Sequence, residues 1–120
     1  MTIKKNIVLE KKGAKPILID FFYNSNNKMP VIIFCHGYKG YKDWGCWDLV
    51  AKEFATNNFF FIKFNFSHNG GTVQNPIDFP DLNAFGNNNF THELNDIERV
   101  VSFISSYQIL LQTLILIIFF

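Results

Sequence analysis

Cysteine is scarce in this chain, with only Cys35 and Cys46 among 120 residues. Cys35 lies in an apolar run and Cys46 in a loop between tryptophans, so they read as two ordinary thiols and not a disulfide. Neither sign of charge is in excess: a formal net charge of +1 gives no general attraction to nucleic acid and little to an anionic membrane. Residues Met1 to Lys15 mix short apolar groups with lysines, where a secretory signal would carry an apolar core of roughly 7 to 15 residues. Few thiols and no signal core give the expectation of a reducing, cytoplasmic setting. Metal-ligand spacing is also missing, since Cys35 and His36 are neighbours that point to opposite faces of a strand. No metal and no cofactor are therefore expected. There is no internal repeat and no coiled-coil heptad.

Apolar residues are abundant, at 48% of the chain with 15 phenylalanines, which supplies a core and excludes disorder at a length suited to one domain. Every lysine lies between Lys4 and Lys63, while Glu93, Asp96 and Glu98 make the later part acidic. That asymmetry reads as solvated surface on two different elements.

Ile3 to Leu9 and Ile17 to Phe22 are short β-rich runs joined around Gly13, the pattern of an antiparallel hairpin. After the polar turn Asn24 to Lys28, Pro30 precedes Val31-Ile32-Ile33-Phe34-Cys35, an unbroken apolar run that suits a strand covered on both faces. A loop with Gly37, Gly40 and Gly45 follows. Trp47, Val50 and Phe54 then recur at spacings of three and four, which predicts a short amphipathic helix ending near Asn57-Asn58. Phe59 to Phe66 is the next buried strand, so strand, helix and strand form a right-handed parallel crossover. Ser67 to Asn89 is a long polar loop. Phe90, Leu94, Ile97, Val101 and Ile104 predict a second helix running to about Tyr107, with Glu93 well placed against its dipole.

Residues 109–120 are almost all Leu, Ile and Phe. Val100 to Phe120 carries no charge and is long enough to cross a bilayer, yet Ser102, Ser105, Ser106, Gln108, Gln112 and Thr113 would cost insertion energy. The preferred reading makes Leu114 to Phe119 one more buried strand, beside Val31 to Cys35, and membrane association is not expected.

The phrases that carry chemistry are His36-Gly37-Tyr38-Lys39-Gly40 with Tyr41-Lys42-Asp43-Trp44-Gly45, then Phe64-Asn65-Phe66-Ser67-His68-Asn69-Gly70, then Asp81-Leu82-Asn83-Ala84-Phe85-Gly86. In this order, over roughly residues 3–108, the chain resembles bacterial α/β-hydrolases, most closely the dienelactone-hydrolase and prolyl-oligopeptidase-like serine-peptidase side of that superfamily. The resemblance implies a partial α/β-hydrolase sheet: an N-terminal β-hairpin, then parallel strands with helices A and B, in the mixed order 1-2-4-3-5. Residues 1–108 would be the N-terminal part of the domain and 109–120 an apolar tail serving as a makeshift fifth strand.

The implied reaction is ester or peptide hydrolysis through a serine acyl-enzyme, with small esters or peptides as substrates. The implied oxyanion-hole donor is the backbone amide of Tyr38, within a loop formed by His36, Gly37 and Gly40. Ser67, His68, Asn69 and Gly70 match the loop that shapes the pocket entrance, and a plain turn is the alternative for them. The resemblance also calls for a Gly-x-Ser-x-Gly elbow, an Asp or Glu and a His. None of Ser25, Ser67, Ser102, Ser105 or Ser106 stands in such a phrase. The expectation is a hydrolase fragment truncated before its nucleophile and inactive alone. The alternative is a small non-enzymatic protein tethered to a membrane or partner by its uncharged end. His36 is expected to be structural. His92, Glu93 and Asp96 could be drawn as an acid/base group, but they read as caps and solvated charge at a helix start. Self-association through an exposed apolar edge is expected as well.

Overall fold

A computed structural model describes residues 1–106 throughout and the backbone of Leu111–Ile118. The expected helix end at Tyr107 and the Phe119 end of the expected last strand lie outside the described residues.

The chain runs β1 (Thr2–Leu9), β2 (Ile17–Tyr23), β3 (Met29–Cys35), α1 (Trp47–Thr56), β4 (Phe60–Phe64), α2 (Leu82–Gly86), α3 (Phe90–Ser106) and β5 (Leu111–Ile118). The hairpin turns through Gly13, whose φ of +79° is open to a residue without a Cβ. β2 pairs antiparallel with β4, and β4 pairs parallel with β3. The mixed sheet therefore has the order β1-β2-β4-β3, and β5 lies parallel to β3 on its other side, with Val31 opposite Leu114 and Cys35 opposite Ile118.

Alternation along the strands makes two cores. Ile19, Phe21, Val31, Ile33, Ile62 and Phe64 face α3, which contributes Ile97, Val100 and Ile104. Phe22, Ile32, Phe34 and Phe61 face α1, which contributes Ala51 and Ala55. The expected stripe of Trp47, Val50 and Phe54 is only partly buried. The two alanines between them let the helix axis approach the phenylalanine-rich strands, and the large rings close in from the sides. Phe54 lies 5.5 Å from Phe61 and Trp47 lies 4.4 Å from Phe34. Fully burying a ring of this kind is worth roughly 1.5 to 3 kcal/mol, and these partly buried rings contribute less.

The stripe expected on α3 is corrected at its first turns, where Phe90 is 67% and Leu94 60% exposed. Asp96 already lies level with Ser67, beyond the end of β4. The turns before it therefore have no sheet beneath them. The long loop before α3 also contains a helix that was not foreseen: Asp81 caps α2 by accepting the Ala84 amide at 3.0 Å.

The reading of the lysines as solvated surface is wrong for three of them. Lys42 and Lys63 are fully buried and Lys5 is about one-third exposed; all three meet Asp20, Asp43 and Asp48 on the α1 face of the sheet. Asp20 and Lys63 are directly opposed on β2 and β4. Asp20 receives Lys5 at 3.0 Å, Lys42 at 3.0 Å, Lys63 at 2.9 Å and the Asn6 amide at 2.8 Å. The Asn6 amide reaches Asp20 from a bulge in β1, where its φ is +57°. Three cations and three anions balance one another, which is what allows charge inside a sheet face.

Candidate functional site

β3 ends against His36, and this ring fixes everything that follows. Its Nε2 accepts the Phe66 amide at 3.1 Å, so Nδ1 carries the proton and donates to the Gly37 carbonyl at 2.9 Å. Both nitrogens are thus used by backbone, and the ring clamps the ends of β3 and β4 together. Burial pulls its pKa down to about 4, so the clamp is neutral at ordinary pH. The ring has no nitrogen left to act as a base.

Beyond it the chain doubles back: the Gly40 amide donates to the Gly37 carbonyl at 2.9 Å, with Lys39 in the left-handed region at φ +59°. A Cβ on Gly40 would fall 2.7 Å from the Gly37 oxygen, so only glycine closes this turn. The turn pushes Tyr38 outward, 76% exposed, with its ring 5.6 Å from Phe85. No hydrogen bond within the described residues occupies the Tyr38 amide. Tyr38 lines a cleft of about 230 Å³ together with Gly37, Lys39, Asn69, Phe85, Asn88 and Glu93. This cleft lies off the carboxyl ends of the parallel strands, where ligands of α/β sheets bind.

The loop after β4 is tied to the same place. Asn69 donates from Nδ2 to the Gly40 carbonyl at 3.3 Å and accepts the Gly71 amide at 2.9 Å. Gly70, at φ +101°, leaves no room for a Cβ beside Phe79. Of the four residues matched to a pocket entrance, Asn69 reaches the cleft, whereas Ser67 and His68 line a groove of about 810 Å³ between the hairpin and α3. That groove is larger, but the chemistry-bearing loop is absent from it.

His92, Glu93 and Asp96 do not form a unit. Asp96 is buried and takes the Ser67 amide at 2.7 Å and its hydroxyl at 3.0 Å, which corrects its reading as solvated charge. Burial raises its pKa, against the hydrogen bonds from Ser67. His92 stacks on His68 at 4.1 Å, and burial followed by that neighbour lowers the His68 pKa. Ser67 hydroxyl lies between Asp96 and His68 Nδ1, 2.8 Å away. Serine, not histidine, is the middle member, so this trio cannot relay a proton from a nucleophile to an acid-oriented base.

Both cysteines are free, and burial, then Glu93, pushes Cys35 up to about 12. Asp20, Asp43 and Asp48 bring carboxylate oxygens within 4.8 Å of one another, the spacing of a cation site. Lys5, Lys42 and Lys63 already bind these oxygens. A metal would have to displace ammonium groups, so the charge set does not fit one. The sequence signal for this network was a lone charge inside each of two apolar runs, Ile-Leu-Ile-Asp20-Phe-Phe and Phe-Phe-Ile-Lys63-Phe.

No family model matches this chain, and no curated protein matches it by sequence. Among solved structures it is similar to a protein of Klebsiella pneumoniae subsp. pneumoniae that carries the name dienelactone hydrolase, with a TM-score of 0.64 and 16% identity. The match covers 96% of this chain and 48% of that one. This chain thus spans about half the length of that protein. The fold is that of the α/β-hydrolases.

Proposed function

We propose that these 120 residues are the oxyanion-side portion of a serine hydrolase that cleaves small ester or peptide substrates through an acyl-enzyme, with the Tyr38 amide as one of the two donors to the developing oxyanion. The observation that carries this reading is the turn from Gly37 to Gly40. It is pinned by His36, closed by a contact that excludes any Cβ, and it leaves an unpaired amide at a cleft off the strand ends. A carbonyl oxygen gaining charge in the transition state is what such a free amide would serve best.

The second donor of an acyl-transfer hydrolase follows the nucleophile, and no Gly-x-Ser-x-Gly phrase occurs in these residues. This stretch alone therefore binds without turnover. The test pairs fluorophosphonate labelling with nitrophenyl-ester turnover on the 120-residue chain; stoichiometric labelling of any of its serines would overturn the proposal. Reading the DNA beyond codon 120 in three frames tests the parent reaction, which predicts a Gly-x-Ser-x-Gly phrase there.

In this reading Leu111–Ile118 serves as a makeshift fifth strand in the order 1-2-4-3-5. No helix among the described residues is long and apolar enough to cross a membrane. Two free thiols agree with a cytoplasmic setting. Association of copies would run through β5, because the opposite edge is guarded. β1 carries Lys4 and Lys5 and the bulge at Asn6, while Leu111–Ile118 contains neither charge nor proline.

A further inference from the structure

We propose that Asn69 is a positioning residue for the Tyr38 donor: its side-chain amide, reaching across from the loop after β4, holds the turn from Gly37 to Gly40 in the shape that presents the Tyr38 N–H. This rests on Tyr38 being the oxyanion donor. The direction of that N–H is set by its own peptide unit. The Gly37 carbonyl and the Tyr38 N–H share one planar, trans unit and point opposite ways, so fixing the first fixes the second. The Gly37 oxygen is held by two donors, His36 Nδ1 and the Gly40 amide, each at 2.9 Å. The second of these depends on where Gly40 sits. Between them Lys39 is left-handed at φ +59°, a conformation that costs a residue with a Cβ and persists only where its surroundings impose it. Released, Lys39 would return to negative φ, carry Gly40 away from the Gly37 oxygen and free the Tyr38 peptide to rotate.

Among the described residues two side chains tie this turn by hydrogen bonds. His36 holds its entry. Asn69 holds its exit, donating from Nδ2 to the Gly40 carbonyl at 3.3 Å. The amide cannot be turned round without loss, because its Oδ1 accepts the Gly71 amide at 2.9 Å and leaves Nδ2 to face Gly40. Asn69 is buried, so water competes little for either bond. Its own backbone is fixed too. The Asn69 amide donates to the Phe66 carbonyl at 3.1 Å, and Ser67 is bonded through its amide and hydroxyl to Asp96 on α3. The turn is thereby tied through one side chain to the end of β4 and to α3. Asn65 does not share the task, since it takes the Lys42 amide beyond the turn.

The test is nitrogen-15 relaxation of the Tyr38 amide in the full 120-residue chain at neutral pH, for the wild type, Asn69→Asp and Asn69→Ala. In the wild type the Tyr38 order parameter is expected near the rigid-backbone value of about 0.85, level with Ile33 and Ile62 in the sheet. The Asn69 side-chain amide protons should exchange with water more slowly than those of the exposed Asn26. Asn69→Asp keeps the side-chain length and the acceptor for Gly71, but a carboxylate has no proton to give the Gly40 carbonyl. Its Tyr38 order parameter is expected to fall below about 0.6 while Ile33 and Ile62 keep theirs, and Asn69→Ala should do the same. A merely structural role would lower the melting temperature and leave the Tyr38 amide of the folded variants as rigid as the sheet. That outcome would overturn the proposal. So would a wild-type order parameter below about 0.6, or wild-type Asn69 protons exchanging as fast as those of Asn26, both of which are read without any variant. Such a failure leaves the acyl-site reading standing, whereas serine labelling by fluorophosphonate overturns that reading and not the hold of Asn69 on the turn.

Discussion

Replacing Asp20 by Asn tests the buried charge network at its centre. The carboxylate is fully buried and accepts Lys5, Lys42, Lys63 and the Asn6 amide, all within about 3 Å. At that distance a unit-charge pair in an effective dielectric of 20 is worth roughly 5 kcal/mol before desolvation. Asn keeps the shape but removes the charge, leaving two ammonium groups with no solvent access. Breaking a buried pair from one side costs about 3 to 5 kcal/mol. Asp43 and Asp48 still face the lysines, which places the expected loss at the lower end, about 3 kcal/mol. That is a large share of the ~5 to 15 kcal/mol of an ordinary domain. The assay is urea unfolding followed by the fluorescence of Trp47, whose ring packs on Phe34. With a slope of about 1 to 3 kcal/mol per molar urea, the midpoint should fall by about 1 to 3 M. The double variant Asp20→Leu with Lys63→Met removes both members of the cross-strand pair and should be more stable than Asp20→Leu alone. A loss below about 1 kcal/mol in Asp20→Asn, or a double variant no better than the single, would refute the reasoning. The network also has an acid limit. Burial would raise the Asp43 pKa, but Lys42 and Lys5 overcome this and hold it well below the usual carboxylate range. Its contribution is present above about pH 4 and is lost as pH falls further.

His36 predicts a second, milder acid response: with its pKa lowered to about 4 by burial, the unfolded chain takes up the proton first. Stability should decline from about pH 6.5 to 4 by up to about 3 kcal/mol, and His36→Gln should flatten urea midpoints measured across that window. Gly40→Ala drives a methyl to 2.7 Å from the Gly37 oxygen and should destabilise by roughly 1 to 3 kcal/mol; an unchanged melting curve would show that the turn is slack. Replacing Ile115 and Ile117, opposite Ile32 and Phe34 on β3, with lysine should reduce self-association in size-exclusion chromatography. A wild-type chain that stays monomeric at high concentration would contradict the edge assigned to β5.

Much of the backbone was legible in the sequence alone. Val31 to Cys35 and Phe60 to Phe64 carry β-branched and aromatic side chains on both faces, so wherever they lie they need cover on both sides. Gly40 marks a turn because backbone comes too close for a Cβ. These are local facts, encoded within a few residues. Tertiary structure decided what stood opposite. A period of two or 3.6 names a face and not its partner, so the phrase Trp47, Val50, Phe54 did not disclose that Ala51 and Ala55 would be the fully buried residues of α1. Lys63 reads as surface until β4 is set against β2, which brings it to Asp20 across 43 residues of chain. Asp96 likewise becomes the anchor of Ser67 only when α3 is laid past the end of β4. A charge acquires its meaning from neighbours that are distant along the chain, and sequence-local patterning carries no record of that distance.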